Sequence, residues 1–216
     1  MRAWRWLALV VGLLLCVVAR GQSMREVLAA MPRSVCVWLS HDDRLDLIDF
    51  KESGMRARVE TAGGVVELEV LTDRYACLRT SSASRVELRL LEGKKGCMVC
   101  GVFTYLTPVE ESCVRFFTPT WEEVDGRKLV EEPRVEDFIK VGTDRDVAGR
   151  IEKMVGGIGG RLSADEESLT FSLDVWGQNG ALKEELEGCL EDVVLRWNGR
   201  RFEAPEGRNG KLRSEE

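Results

Sequence analysis

The segment Arg85–Leu91, RVELRLL, decides the fold class. Apolar side chains recur at every second position, with Arg85, Glu87 and Arg89 between them. This period of two is typical of a β-strand with one apolar and one polar face. The stretches MRARVET (55–61) and VVELEVL (65–71) repeat it, and Gly63-Gly64 supplies a turn between them. The first half of the chain is therefore predicted to form an antiparallel sheet with one solvated face.

Three more strands are predicted between residues 74 and 118. RYACLRT (74–80) is short, CMVCGVFTYL (97–106) is apolar on both faces, and CVRFFT (113–118) follows a turn around Pro108. In VVELEVL the inward side chains are predicted to be Val66, Leu68 and Val70.

Helical spacing appears in two places before the strands. In SMREVLAAM (23–31), Ser23 is the expected N-cap, and in DDRLDLIDFKESG (42–54) Asp42 or Asp43 caps the helix. There Leu45 and Ile48 share a face, and Gly54 ends the helix.

The second half repeats the mixture of helices and strands. DRDVAGRIEKMV (144–155) and ALKEELEGCLEDV (181–193) are predicted helices, the first presenting Val147, Ile151, Met154 and Val155. SLTFSLDV (168–175) is a predicted strand, and VVLRWNGRRFE (193–203) is a hairpin with a two-residue turn at Asn198-Gly199.

These patterns predict an α+β protein, with an antiparallel β-meander sheet or two and helices packed mainly on one face. A single domain is expected over 22–204, with two halves joined near 119–133, where the sequence is charged and rich in turn residues. Residues 205–216 lack an apolar pattern and are predicted to be a disordered tail.

The first 21 residues have the layout of a cleavable signal peptide. A basic start precedes an apolar run from Trp6 to Ala19, and cleavage is expected after Gly21. Cys16 follows three leucines rather than a small residue, which argues against a lipid anchor. No second apolar run follows, so no transmembrane segment is expected in the mature chain, and the predicted location is periplasmic or secreted.

The charge balance argues against nucleic acid as a partner. The whole chain has a formal charge of −6, and loss of residues 1–21 removes three arginines and no acid, which gives −9. Nucleic-acid phosphates bind to clustered lysine and arginine side chains, so an acidic chain is a poor candidate for binding nucleic acid.

The pair Cys97 and Cys100, in GCMVCG, is the most conspicuous candidate for chemistry. In a strand these positions point to opposite faces with Cα atoms about 10 Å apart, whereas a disulfide needs about 4.4–6.8 Å. The residues that follow lack the helical stripe of a redox Cys-x-x-Cys, and the single histidine gives no second ligand pair for zinc. We therefore predict a strand with two unlinked thiols. Six cysteines remain after the signal peptide, and they allow 15 pairings.

Three further motifs have plain structural explanations. The acids and histidine of SHDDRLDLID (Ser40, His41, Asp42, Asp43, Asp46 and Asp49) suit a hydrolase or metal site but also suit helix capping, which we prefer. GGIGG (156–160) follows a predicted helix, so it is interpreted as a helix stop and flexible connection rather than a phosphate loop. Of the tryptophans Trp38, Trp121, Trp176 and Trp197, Trp176 lies on the face opposite Phe171 and Leu173. An exposed tryptophan there could anchor a partner, but such a residue more often packs under a loop or against a second layer.

Three segments, DRLDLIDFKESGM (43–55), VRFFTPTW (114–121) and LRWNGRRFE (195–203), resemble an uncharacterised family of exported proteins of Bacteroidales, a domain-of-unknown-function family. The resemblance covers nearly the whole mature chain in the same order, and the cysteine pair is not among the recurring segments. It implies an envelope or secreted location in a Gram-negative bacterium. It carries no activity, cofactor or catalytic residue.

The function predicted from the sequence is that of an exported envelope protein that binds another envelope protein or macromolecule without catalysis. No catalytic, cofactor-binding or metal-binding residue is assigned, and no cofactor is expected. The alternative is an exported hydrolase that uses His41 and the acidic residues of 42–49.

Overall fold

The computed structural model describes residues 22–94, 96–176 and 180–205. The predicted signal peptide and residues 206–216 of the predicted tail lie outside the described residues. Two antiparallel sheets and several helices make an α+β protein, which confirms the predicted fold class.

The larger sheet is a seven-stranded meander in which each strand pairs with the next along the chain. Its strands are β1 (Arg58–Thr61), β2 (Gly64–Leu71), β3 (Tyr75–Ser81), β4 (Ser84–Gly93), β5 (Gly96–Tyr105), β6 (Glu111–Phe117) and β7 (Glu123–Val124). The longest pairing joins β4 to β5 from Ser84↔Tyr105 to Gly93↔Gly96. These two strands form the centre of the sheet.

The smaller sheet has four strands in the order β11-β10-β9-β8. Their bounds are β8 (Val155–Leu162), β9 (Ser168–Val175), β10 (Val193–Trp197) and β11 (Phe202–Glu203). Alternating residues of β9 are buried, as its sequence predicts: Leu169, Phe171, Leu173 and Val175.

The helices are α1 (Met24–Ala30), α2 (His41–Glu52), α3 (Val135–Phe138), α4 (Arg145–Lys153) and α5 (Gly180–Glu187), with a 3₁₀ turn at Gly126–Lys128. The α1 helix begins with a capping box, in which Ser23 and Glu26 satisfy each other's backbone N–H groups. The predicted cap of α2 is wrong by two or three positions: Ser40 is the N-cap, and Asp43 is its partner within the first turn.

The larger sheet is covered on both faces. On one face α1 and α2 enclose a core that includes Leu68, Leu88 and Phe117. On the other face the smaller sheet packs over residues such as Cys100 and Phe116. The protein is thus built in three layers, helices, sheet and sheet.

The expectation of a solvated polar face fails at strand β4. Glu87 and Arg89 are only 5% and 4% exposed, because the face that carries them lies under the smaller sheet. The solvated face survives on β1 and β2, where Arg56 forms two hydrogen bonds to Glu67, of 2.9 and 2.8 Å.

The glycine-rich segment GGIGG is a strand and not the predicted flexible connection. It belongs to β8, which follows α4 directly, so the predicted helical residue Val155 also lies in this strand. A Cβ at Gly157 would lie 2.6 Å from the carbonyl oxygen of Glu110. The glycines therefore let the loop between β5 and β6 approach the backbone of β8.

Local irregularities correct two further predictions. A β-bulge between Leu68 and Val70 turns Val70 toward the core shared with the smaller sheet, away from the helices that Val66 and Leu68 contact. The hairpin of β10 and β11 pairs Trp197 with Phe202 across a four-residue connection, because the Asn198 side chain accepts hydrogen bonds from the N–H groups of Arg200 and Arg201.

Substitution of Gly157 by alanine should lower the free energy of unfolding by about 1–3 kcal/mol, because its Cβ would meet backbone that has no room to move. Gly149→Ala in α4 is the matched control. Nothing lies within 4 Å of its added methyl group, and it should raise stability by about 0.5–1 kcal/mol. Urea denaturation of both variants checks this, and equal midpoints would contradict the close approach.

Candidate interaction surface

The cysteine pair lies in strand β5 as predicted. Cys97 packs against the core under the helices, whereas Cys100 lies in the core between the sheets, so the two side chains are on opposite faces. Both are free thiols. Burial raises the pKa of each thiol, most strongly that of the fully buried Cys100. A buried, protonated thiol is a poor nucleophile and a poor metal ligand.

The segment Ser40–Asp49 contains the N-cap and most of helix α2. The Ser40 hydroxyl donates to the Asp43 carboxylate over 2.5 Å and accepts from the Asp43 N–H over 3.1 Å. The carboxylate of Asp43 accepts hydrogen bonds from the Ser40 hydroxyl and from the Ser40 N–H, and these two bonds lower the pKa of Asp43. His41 and Asp42 are exposed on the first turn. The structure therefore removes the local support for a hydrolase.

Of the four tryptophans beyond residue 21, two form hydrogen bonds between different layers of the fold. The buried Trp121 donates its indole N–H to the carbonyl oxygen of Val27 in α1 over 2.9 Å. Trp197 donates to the carbonyl oxygen of Glu92 over 2.6 Å, which ties β10 to β4. Trp176, which directly follows β9, is 52% exposed and not packed against a second layer, and Trp38 is 55% exposed.

An ionic cluster, Tyr75, Arg85, Glu87, Glu110 and Arg161, lies where the two sheets meet; Tyr75 and Glu87 are buried, whereas Arg161 is exposed. The Tyr75 hydroxyl donates to Glu87 over 2.6 Å, and the guanidinium of Arg85 lies 3.4 Å from Glu87 and 3.3 Å from Glu110. Arg161, on β8, pairs with Glu110 at 2.9 Å. The cluster therefore links β3, β4, the β5–β6 loop and the smaller sheet.

Burial shifts the pKa of Glu87, the buried carboxyl group of this cluster. It raises the pKa of Glu87 above its ordinary value, although the Tyr75 hydroxyl and Arg85 partly oppose the shift. Burial also raises the pKa of Cys77, the cross-strand neighbour of Glu87, to about 12. One carboxylate oxygen of Glu87 lacks a hydrogen-bond partner, so the ionised form is incompletely satisfied.

The cluster is separate from the cleft near Leu173. A cleft of about 380 Å³ is lined by residues outside the cluster: Leu173, Glu187, Leu190, Glu191 and Asp192. Within residues 22–94, 96–176 and 180–205, no three histidine, cysteine or acidic side chains are grouped so as to hold a metal ion. In the same part of the chain, no helix is long and apolar enough to cross a membrane.

The most unusual surface feature is the turn between α1 and α2. The Leu39 N–H donates to the carbonyl oxygen of Cys36 over 3.2 Å, which leaves Val37 and Trp38 at the two central positions. Such positions normally carry glycine, asparagine, aspartate, proline or serine. Here two large apolar side chains point outward, 59% and 55% exposed.

This turn is held rigidly. Cys36 and Leu39, on either side of the exposed pair, are buried in the core. The buried Arg44 of α2 donates to the carbonyl oxygens of Leu39, over 2.8 Å, and of Ala29, over 3.3 Å. The Val37-Trp38 turn is therefore fixed to both helices, and its exposure is not an effect of a loose loop.

The Trp38 ring lies directly on the β1–β2 hairpin. A Cβ at Gly63 would fall 2.5 Å from Cγ of the indole, so the glycine is what allows this contact. Beside it runs β1, which pairs only with β2 and is an edge of the larger sheet. We refer to Val37, Trp38, Gly63 and strand β1 as the Trp38 surface. Sequence reasoning named Trp38 but missed its setting, which depends on contact between the turn and the hairpin.

The fold and this surface define an α+β protein of two antiparallel sheets with an outward-facing aromatic turn beside an open strand edge. The chain belongs to the family described as "Protein of unknown function (DUF3256)", which matches residues 16–202. Among curated proteins, none matches the chain.

A solved structure supports the family assignment. The chain is similar to a domain of an uncharacterized protein from Porphyromonas gingivalis W83, with 25% sequence identity and a TM-score of 0.72. The similarity covers 86% of this chain and 98% of the other. The predicted resemblance to a family of unknown function is thereby confirmed, and the structural neighbour comes from a species of Bacteroidales, whereas export stays a prediction.

The raised pKa of Glu87 predicts a specific pH dependence. Because the folded state holds this proton more tightly than the unfolded state, Glu87 makes stability fall as the pH rises from about 4.5 through the folded pKa. In Glu87→Gln that component is absent, so the free energy of unfolding of the variant relative to the wild type should increase with pH.

Urea denaturation at a series of pH values on both sides of 4.5 measures the difference. The control is Glu67→Gln. The hydrogen bonds from Arg56 lower the pKa of Glu67, so this residue contributes stability that is lost at lower pH, the opposite sign. Parallel profiles for the wild type and Glu87→Gln would rule out a raised Glu87 pKa.

Thiol labelling should distinguish the cysteines by burial. In the folded protein the exposed Cys113 should react first, whereas Cys77 and Cys100 should react only after unfolding. Peptide mapping by mass spectrometry before and after reduction locates the labels. A peptide carrying a Cys97–Cys100 disulfide would contradict the strand geometry.

Proposed function

We propose that the chain is an exported protein of the cell envelope that acts by binding another macromolecule and not as an enzyme. Export is supported by the signal-like layout of residues 1–21 and by the resemblance to exported proteins of Bacteroidales. The binding role is supported by the Trp38 surface.

One observation carries the binding role: Val37 and Trp38 occupy the centre of a rigid turn and are more than half exposed. Exposing two such side chains forgoes about 1.5–3 kcal/mol of burial each. Tryptophan is also among the residues most enriched at the energetic centres of protein interfaces. Because Arg44 holds the turn in place, binding there would require little ordering of the protein.

The open edge of β1 adds a second element of recognition. A partner that covers Trp38 also reaches a strand whose outer backbone groups are available for hydrogen bonding. Apolar contact and strand pairing would then act together at one surface.

Trp38→Ala should abolish recovery of the partner after crosslinking in intact cells and mass spectrometry. Trp176→Ala is the matched control, since Trp176 is 52% exposed against 55% for Trp38 but lies on the smaller sheet, and it should leave recovery unchanged. Thermal denaturation of both variants confirms that they fold.

The same experiment tests export. This chain, recovered from the cells, should begin at Gln22 if residues 1–21 are removed. Failure to recover any reproducible partner with the wild type would overturn the binding role. Equal recovery with both tryptophan variants would overturn the assignment to Trp38.

A further inference from the structure

Strand β1 is a short edge strand, four residues long, whose outward side chains Arg58 and Glu60 are charged. Charges and shortness limit pairing with unrelated strands, as proline and bulges do, so an added strand must have complementary charges. β1 contains no proline, and it pairs with β2 in an uninterrupted register from Arg58↔Glu67 to Thr61↔Gly64. Its inward side chain, Val59, packs against the core. This regular edge is able to accept another strand.

The direction of the backbone groups follows from one hydrogen bond. The Leu68 N–H donates to the carbonyl oxygen of Ala57 over 2.9 Å, so Ala57 faces β2. Because antiparallel strands alternate, Val59 and Thr61 also face β2, while Arg58 and Glu60 direct their N–H and C=O groups to the open edge. A strand added there must therefore pair with Arg58 and Glu60.

We propose that the occupant of this edge is β1 of a second copy of the chain, paired antiparallel about a two-fold axis at Val59. This inference rests on the proposed function in that it names the partner of the Trp38 surface. In this register Arg58 of each copy lies opposite Glu60 of the other, and the two Val59 residues face each other. Opposite charges at such positions stabilise strand pairing.

Charge selects this register over its neighbours. A shift of two residues in one direction places Arg58 opposite Arg58, and a shift in the other places Glu60 opposite Glu60. Like charges directly opposite each other are destabilising. Both side chains are available, with exposed fractions of 44% and 86% and only a loose contact of 4.0 Å between them.

The same register covers the exposed apolar residues at both ends of β1. Met55, which precedes the strand, is 54% exposed. Met55 lies in the bend that joins α2 to β1, and its N–H donates to the carbonyl oxygen of Phe50 over 2.9 Å, whereas Trp38 lies on the hairpin at the other end of β1. In the proposed pairing Met55 of one copy lies opposite Gly63 of the other and contacts the indole above it.

The two-fold axis makes this contact occur twice. An isologous interface of this kind is self-complementary, because each copy supplies Met55 at one end and Trp38 at the other. The seven-stranded sheets then join into one continuous sheet with the helices of both copies on the same face. One arrangement thus accounts for the open edge, the paired charges and the exposed apolar side chains Trp38 and Met55.

Sedimentation velocity of the purified full-length protein, over a range of concentrations, tests the proposal. The wild type should dimerise, and Arg58→Glu and Glu60→Arg should each weaken dimerisation about tenfold or more, since each places two like-charged pairs in the interface. An equimolar mixture of the two variants should dimerise again, because all the acidic side chains then face basic ones.

The equimolar mixture of variants distinguishes pairing between copies from a purely structural role of Arg58 and Glu60. Contacts within one chain cannot be restored by adding a second variant. A wild type that stays monomeric at the highest soluble concentration overturns the inference. So does a dimer that is insensitive to both substitutions, or a mixture that stays monomeric. If the wild type is monomeric but Trp38-dependent crosslinks to a different protein are recovered, the proposed function stands and only the second copy is ruled out.

Discussion

Strand β4 is buried on both faces, and the layering of the protein depends on this. One face carries Leu88 and Leu90, which pack under α1 and α2, and the other carries Glu87, Arg89 and Leu91, which lie under the smaller sheet. A charged face can be covered only if its groups find partners, since an unpaired buried charge costs several kcal/mol. The ionic cluster around Glu87 and the hydrogen bond of 2.6 Å from Arg89 to the carbonyl oxygen of Ser163 meet that requirement in part, since Arg85 Nε, Glu87 Oε2 and Arg89 Nε lack hydrogen-bond partners.

The glycines of β8 make the close approach of the sheets possible. Their missing side chains admit the β5–β6 loop, which brings Glu110 to Arg161 and Arg85. The Ser112 hydroxyl accepts from the Gly160 N–H over 2.8 Å, so the outer side of β8 is hydrogen-bonded to the larger sheet. Backbone contacts and ion pairs therefore both stabilise the contact between β8 and the larger sheet. This makes the cluster a structural feature in the first place, consistent with its separation from the cleft near Leu173.

Of the four edge strands, β1, β7, β8 and β11, the two longest, β1 and β8, differ in how they are covered, and this difference suggests where interaction occurs. The edge of β8 is covered, whereas β1 is regular, open and flanked by Trp38 and Met55. Arg44 and the buried Cys36 and Leu39 hold the Trp38 turn at the end of this edge. The proposed binding role and the proposed pairing with a second copy both arise from this difference between edges.

The sequence by itself determined the elements that depend on local patterns: the alternating strands of the meander, the caps and ends of α1 and α2 to within a few residues, and the opposite faces of Cys97 and Cys100. It left the exposure of Trp176 open. Only the tertiary structure decided which faces are covered. A charged strand face such as that of β4 has the same pattern whether it meets water or a second sheet. The strand at GGIGG and the setting of Trp38 on Gly63 likewise depend on backbone approaches between distant segments, which leave no periodic signal in the chain.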